Sequence, residues 1–357
     1  MKAHNRECEK AKPFHALAHS TTSRFKLRKG KDVRLAELYV ASLVVSTFGA
    51  WIISKHADKV GLLDCPNGRS SHCMPTPKGG GIGIFFVFLM SACVLGLPIA
   101  FWLPIGIMAV VAFCGDRIEL SALLRLVIQL GLMMAVVIAG GKGAAHGALL
   151  YLLWVGFWTV FIVGTANYYN FMDGINGIAG ITGLLGFALL AAYVNLIEGS
   201  AAITGVAVCL SIACLGFLPF NMPKARVFMG DIGSILLGSV FAGLIWLAAE
   251  SVLDFVCMAA FLFPFYVDEL STVWVRMKNG DNLTKPHRRH YYQILANEKG
   301  IAHWKVSVGY GVFQLAVGIS VLMVRACGLV AVLVVLAGWL LVFVAESCRL
   351  RKQTEKK

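Results

Sequence analysis

The stretch Leu149-Leu-Tyr-Leu-Leu-Trp-Val-Gly-Phe-Trp-Thr-Val-Phe-Ile-Val-Gly-Thr-Ala166 carries no charged side chain, and it runs straight into Asn167-Tyr-Tyr-Asn170-Phe-Met-Asp173-Gly-Ile-Asn176-Gly-Ile-Ala-Gly180. About 18 apolar residues suffice to span a hydrocarbon core of roughly 30 Å. Lipid cannot satisfy an open backbone, so such a run must be a helix. Working outward, similar runs occupy approximately 35–54, 82–97, 99–114, 123–140, 177–196, 201–218, 233–249, 254–274, 305–324 and 327–345. The expectation is an all-α, polytopic membrane bundle of 10–11 helices. Pro98 and Pro104 leave only a tight turn between the second and third runs, so one re-entrant hairpin is the alternative there.

Composition agrees. The chain is 58% hydrophobic and 14% charged, against roughly 45–50% and about 25% in soluble domains. Lys and Arg favour the cytoplasmic loops. Segments 55–81, 115–125, 219–232, 275–305 and 346–357 hold 20 of them, and the opposite loops only Lys142 and Arg325. The C-terminal tail 346–357 is therefore expected in the cytoplasm, behind a membrane domain spanning 35–345. Residues 1–34 form a polar, basic extension with no apolar core of the kind a signal peptide needs. It reads as a disordered head or as a start codon set too far upstream. The net charge of +13 follows from the loop bias plus this head, which argues for the membrane and against nucleic acid as a partner. Ten cysteines are scattered without a C-x-x-C pair; Cys65 and Cys73 around His72 are a weak zinc signal.

Chemistry gathers on one face. In the 167–180 segment, Asn170, Asp173 and Asn176 recur every three residues, and Gly174, Gly177 and Gly180 permit close approach of a ligand or a backbone. The competing reading is a helix start capped by Asp173 with glycines packing between helices. In Asn221-Met-Pro-Lys-Ala-Arg-Val-Phe-Met-Gly-Asp231-Ile-Gly233, an acid sits between glycines ahead of a membrane run. Asp231 suits a hard cation, since Mg²⁺ takes one or two carboxylates plus substrate phosphates, or it caps the helix. Lys285-Pro-His287-Arg288-Arg289-His290-Tyr-Tyr-Gln293 offers cations and imidazoles for a diphosphate. Thr76-Pro-Lys78-Gly-Gly-Gly81 offers a lysine and backbone amides for an anion. Asp268, inside the ninth run, is a functional candidate because a carboxylate in a membrane is expensive. A transporter would instead place its polar groups near the midplane.

Three blocks in order, Thr-Pro-Lys-Gly-Gly-Gly at 76–81, Asn-Phe-Met-Asp-Gly at 170–174 and Phe-Met-Gly-Asp-Ile-Gly-Ser at 228–234, resemble the polyprenyl-phosphate N-acetylhexosamine-1-phosphate transferases. The resemblance runs from about Thr76 to Gln293. It implies ten or eleven membrane helices around a cytoplasmic cleft, and transfer of a sugar phosphate from a UDP-sugar to polyprenyl phosphate with Mg²⁺, or Mn²⁺, as cofactor. The catalytic set it implies is Asp116, Asp173 and Asp231, with Asp231 and Asp116 on the metal. Lys78, Asn170, Asn176, Asn221, Asp268, His287, Arg288 and His290 would bind substrate, and a homodimer is an option. The form of the histidine segment looks like the branch serving O-antigen and related surface glycans in the bacterial inner membrane. One departure matters: where the family usually has Asp-Asp, this chain reads Gly115-Asp116. A phosphate monoester is largely dianionic at neutral pH, so direct attack by the lipid phosphate needs little help from a base. An impaired relative that only binds is the alternative.

Overall fold

The computed structural model describes residues 14–66, 74–118, 120–143, 147–282 and 287–354. Among them the apolar runs become α1 (Phe14–His56), α2 (Ile82–Val94), α3 (Ile99–Ile118), α4 (Ala122–Ala139), α5 (Ala148–Phe171), α6 (Ile178–Leu196), α7 (Ala201–Asn221) and α8 (Asp231–Ala248). They continue as α9 (Val252–Ala259), α10 (Phe263–Lys278), α12 (His303–Val324) and α13 (Leu329–Thr354), with the short α11 (Tyr291–Gln293) lying in the polar segment. Eight helices among the described residues are long and apolar enough to cross a membrane. The chain is a polytopic all-α membrane protein.

One of the eleven expected spans differs in form. The second and third are separate helices, as expected, divided at Leu95–Pro98, where Gly96 takes a φ of 73°. At 13 residues α2 reaches only about 20 Å. The ninth is broken: α9 stops at Ala259, a tight turn covers Ala260–Leu262, and α10 restarts with Pro264 in its first turn, where the missing N–H costs nothing. The carbonyl freed at Phe261 accepts from Gln314 Nε2 at 2.7 Å, so the break is satisfied inside the protein. The polar head also differs from a wholly disordered extension, because α1 begins at Phe14. Residues 1–13 lie outside the described residues, as do His72 and Cys73 of the weak zinc signal.

α8 is the axis of the bundle, with every residue from Ile232 to Trp246 buried. Such burial requires close neighbours. A Cβ on Gly238 would stand 2.7 Å from the Ala166 Cα, so α5 and α8 touch backbone to backbone. At its far end the last carbonyls of α8, Trp246 and Leu247, accept from Lys142 Nζ at 3.2 and 2.8 Å, a cation at the negative pole of the helix. On that same side Asp254 accepts from Tyr193 at 2.7 Å and from Arg325 at 3.4 Å, tying α6, α9 and the end of α12 together. The near end of α8 presents Asp231 at the middle of the opposite face.

Candidate active site

Asp231 is the first residue of α8, but the cap position belongs to Gly230, whose φ of 73° suits glycine, and no side chain caps the helix. Its carboxylate is therefore not used for capping. Instead Asn170 Nδ2, from the last turn of α5, donates to Asp231 Oδ1 and to Ser234 Oγ, both at 2.9 Å. Arg125 Nη1, from α4, stands 3.3 Å from Asp231 Oδ2. α4 starts at Ser121, whose side chain accepts from the Leu124 N–H at 3.2 Å, and this cap aims Arg125 one turn later into the site. Both partners keep solvent contact, with Arg125 36% and Asp231 25% exposed in their side chains.

The glycine run beside them is not an open anion cradle. The amides of Gly80 and Gly81 donate to the carbonyls of Phe228 and Met229, each at 2.9 Å, and Phe228 N–H donates to Pro77 O at 2.7 Å. Lys78 bridges Phe228 in a parallel sense, next to the two-stranded pairing of Leu63–Asp64 with Thr76–Pro77. A Cβ on Gly81 would stand 2.5 Å from Gly233 Cα, and one on Gly230 2.8 Å from Gly79 N. The glycines lock the first and third blocks together, with the half-buried Lys78 beside them.

Asn221 is likewise committed within the protein. It is buried, accepts from Gly177 N–H at 2.6 Å and donates to Val227 O at 2.9 Å. It joins the 170–177 loop to the 222–229 loop and holds the two together. α6 starts at Ile178 behind Gly177, so Asp173 does not cap it either. Part of the Asp173 surface stays open. The protein packed around it and the charge of Asp231 nevertheless push its carboxyl well above the usual range. Asn176 faces elsewhere: its N–H donates to His303 Nδ1 at 3.4 Å, and it lines a cavity of about 590 Å³ with Lys224, Arg226 and Trp304.

Asp268 departs most from expectation. It is fully buried, and its two oxygens accept from Tyr291 N–H at 2.7 Å, Tyr292 N–H at 3.2 Å, Tyr310 OH at 2.6 Å and Thr272 OH at 3.2 Å. Two of these four bonds hold the first amides of α11, so Asp268 positions the histidine segment. Tyr292 then docks that segment onto the 171–174 loop, donating to Phe171 O at 3.0 Å and lying where a Gly174 side chain would go. His290 is buried and stacks on Tyr292, with Nδ1 3.5 Å from Glu269. It too is a packing residue, and burial lowers its affinity for a proton. His287 and Arg288 are half-buried nearer the surface. Burial, the neighbouring His290, and Arg276 and Arg289 push the His287 imidazole down to about 4. Arg289 pairs with Asp281. Asp116 ends α3, and its side chain, like residues 283–286, lies outside what the structure describes.

Asp231, Asn170 and Arg125 form the polar end of a cavity of about 520 Å³ between α4 and α5, otherwise walled by Leu126, Val160, Val163 and Ile235. Gln129 and Asn167 bond to each other at 2.7 Å along its side. A trough of about 570 Å³ continues from Val160 and Gly164 to Tyr266. No three His, Cys, Asp or Glu side chains gather among the described residues; Asp231 and Asp173 are the acids that could hold a cation whose remaining ligands come from substrate. Sequence reasoning missed Arg125, Gln129, Asn167 and Tyr292. The one available signal was Arg125 itself, a lone charge at the start of an apolar run.

Residues 98–249 match the family described as Glycosyl transferase family 4. Over that stretch the chain is similar to the family, and several curated relatives resemble it over longer segments. It is 28% identical to a probable undecaprenyl-phosphate N-acetylglucosaminyl 1-phosphate transferase of Bacillus subtilis, over 58% of this chain and 61% of that protein's length. It is 27% identical to a decaprenyl-phosphate N-acetylglucosaminephosphotransferase of Mycobacterium tuberculosis, over 78% and 80%. A phospho-N-acetylmuramoyl-pentapeptide-transferase of Staphylococcus saprophyticus is 32% identical over 48% and 54%. The family 4 match encloses Gly115, Arg125, Asn170, Asp173 and Asp231, so the cavity head is family territory.

Proposed function

We propose that the protein transfers a sugar-1-phosphate, of the N-acetylhexosamine class, from a UDP-sugar to polyprenyl phosphate, releasing UMP and opening the synthesis of a surface glycan. The observation that carries this is the cavity: an apolar, lipid-side volume whose polar end holds Arg125, Asn170 and Asp231. An isoprenoid chain suits the walls, and its phosphate suits Arg125. The relatives named above act on polyprenyl phosphates and N-acetylated sugars.

Asp231, with Asp173 beside it and Asp116 as a further acid, would hold Mg²⁺. When bound, the ion supplies charge neutralisation for the diphosphate. The chain's own residues do the positioning. Arg125 draws the lipid phosphate to the cavity head, and a phosphate oxygen attacks the sugar-linked phosphorus as the bond to the UMP oxygen breaks. Asn170 fixes the Asp231 carboxylate through its 2.9 Å bond. Lys78, His287 and Arg288 would meet the nucleotide diphosphate, and Asn176 with its basic cavity the nucleoside end. The positive loop bias supports a cytoplasmic position for this face.

Purified protein, undecaprenyl phosphate and a panel of UDP-N-acetylhexosamines test the reading. It expects UMP that appears with Mg²⁺ and vanishes with chelator. No UMP with any donor, from protein that binds UDP-sugar and stays folded, would show an inactive binding relative instead.

A further inference from the structure

A second cavity, of about 310 Å³, lies between α12 and α13 on the side of the bundle away from Arg125, at the same end as the histidine segment. Its walls are apolar, with Leu295, Val306, Phe313, Val342 and Phe343 facing it. Gly309 leaves a gap in the wall: a Cβ there would meet nothing within 4 Å. The opening is exposed along Ile301, Val342 and Gly309, which in a membrane protein means exposed to lipid tails. At the polar end stands Lys305, in the first turn of α12, with its ammonium 5.6 Å from the ring of Trp304.

Two charged residues line the cavity, Lys305 and Glu346, and Glu346 stands 3.6 Å from Arg349, which offsets its charge. An exposed Trp beside a Lys at a helix start is the pattern of a membrane–water boundary. The α12 N-terminus adds the positive end of its dipole. An apolar slot below and the Lys305 ammonium above match a molecule with an acyl chain and a negative headgroup.

We infer that this groove binds an anionic phospholipid of the surrounding bilayer, one acyl chain between α12 and α13 and the headgroup phosphate at Lys305. The site is coupled to the other one. Tyr291 forms part of its floor, its ring lies edge-on to Phe343 at 5.2 Å, and its N–H is one of the donors that Asp268 holds. A lipid in the groove braces the base of the histidine segment, so anionic lipid raises turnover without touching substrate.

The full-length protein in nanodiscs, read by native mass spectrometry for lipids retained on release, tests this independently of transferase activity. The expected result is preferential retention of phosphatidylglycerol over phosphatidylcholine. Lys305→Gln should weaken that preference about fivefold. Gly309→Leu, which fills the slot from an open position, and Val342→Trp, from the facing wall, should remove the retained lipid while the protein elutes as folded. Equal retention of the two lipids by wild type, or undiminished phosphatidylglycerol on both slot-filling variants, would overturn the inference. Displacement of the lipid by polyprenyl phosphate would also overturn it, assigning the groove to the acceptor chain.

Discussion

Gly115→Asp supplies the acid that the resemblance implies at this position, and the structure says what it would meet. A Cβ at Gly115 stands 3.3 Å from Arg125 Cδ and 3.7 Å from Leu120 Cδ1. The new carboxylate therefore lies within reach of the Arg125 guanidinium, which otherwise faces Asp231. Two unit charges 4 Å apart attract by about 4 kcal/mol at an effective dielectric of ~20. Arg125 is 36% exposed, so solvent screening brings the gain down to at most about 1 kcal/mol. That corresponds to about fivefold in an equilibrium. If Arg125 holds the lipid phosphate and the dianion attacks unaided, the variant shows a KM for polyprenyl phosphate raised up to about fivefold, with kcat and the UDP-sugar KM little changed. Gly115→Ala supplies the same Cβ without the charge and separates crowding from electrostatics. Steady-state kinetics with each substrate varied in turn gives the answer. A large gain in kcat for Gly115→Asp would refute direct attack and make the missing acid the base.

Other perturbations probe the rest of the site. Asp231→Asn should lower kcat by roughly 10²–10³, since charge neutralisation at a diphosphate is worth several kcal/mol; it should change thermal stability little, because Asp231 makes no capping bond and its ion pair with Arg125 is partly solvent-exposed. Asp268→Asn removes the paired acceptor of the Tyr291 and Tyr292 amides, costing about 1–3 kcal/mol for each donor orphaned. Hydrogen exchange should accelerate at residues 290–293 while the Asp231 region stays protected. The low proton affinities of His287 and His290 fix a sign: the unfolded chain binds protons near 6.5 that the folded chain refuses until about 4 at His287. Stability is fully present above about pH 6.5 and falls as pH drops towards 4. A melting temperature that declines from pH 7 to 5, and declines less in His287→Gln, is the expected outcome.

The helices were readable because an apolar run long enough to span lipid has one conformation available to it. Asp231 and Asp173 stood out in the sequence because glycine-flanked polar residues before a membrane run are few. What sequence could not show is where each polar group's partner lies. Asn170 meets Asp231 across 61 positions and Arg125 reaches it across 106, distances over which no local pattern operates. For the same reason Asn221 and Asp268 looked like ligand contacts: spacing reveals a polar residue but not that its acceptors are filled from Gly177 or from Tyr291 and Tyr292. The glycine run misled in a related way, since a flexible backbone serves an anion and a neighbouring backbone equally well, and here Met229 and Phe228 take its amides.

The central claim is that phosphorus moves with the sugar. A UDP-N-acetylhexosamine labelled with ³²P at the β position, incubated with the protein, undecaprenyl phosphate and Mg²⁺, follows that atom directly. The account predicts label in the lipid fraction, as undecaprenyl diphosphate-sugar, with one unlabelled UMP for each lipid formed. Label remaining in the aqueous phase as UDP while the sugar enters the lipid would mean glycosyl transfer, and would contradict it.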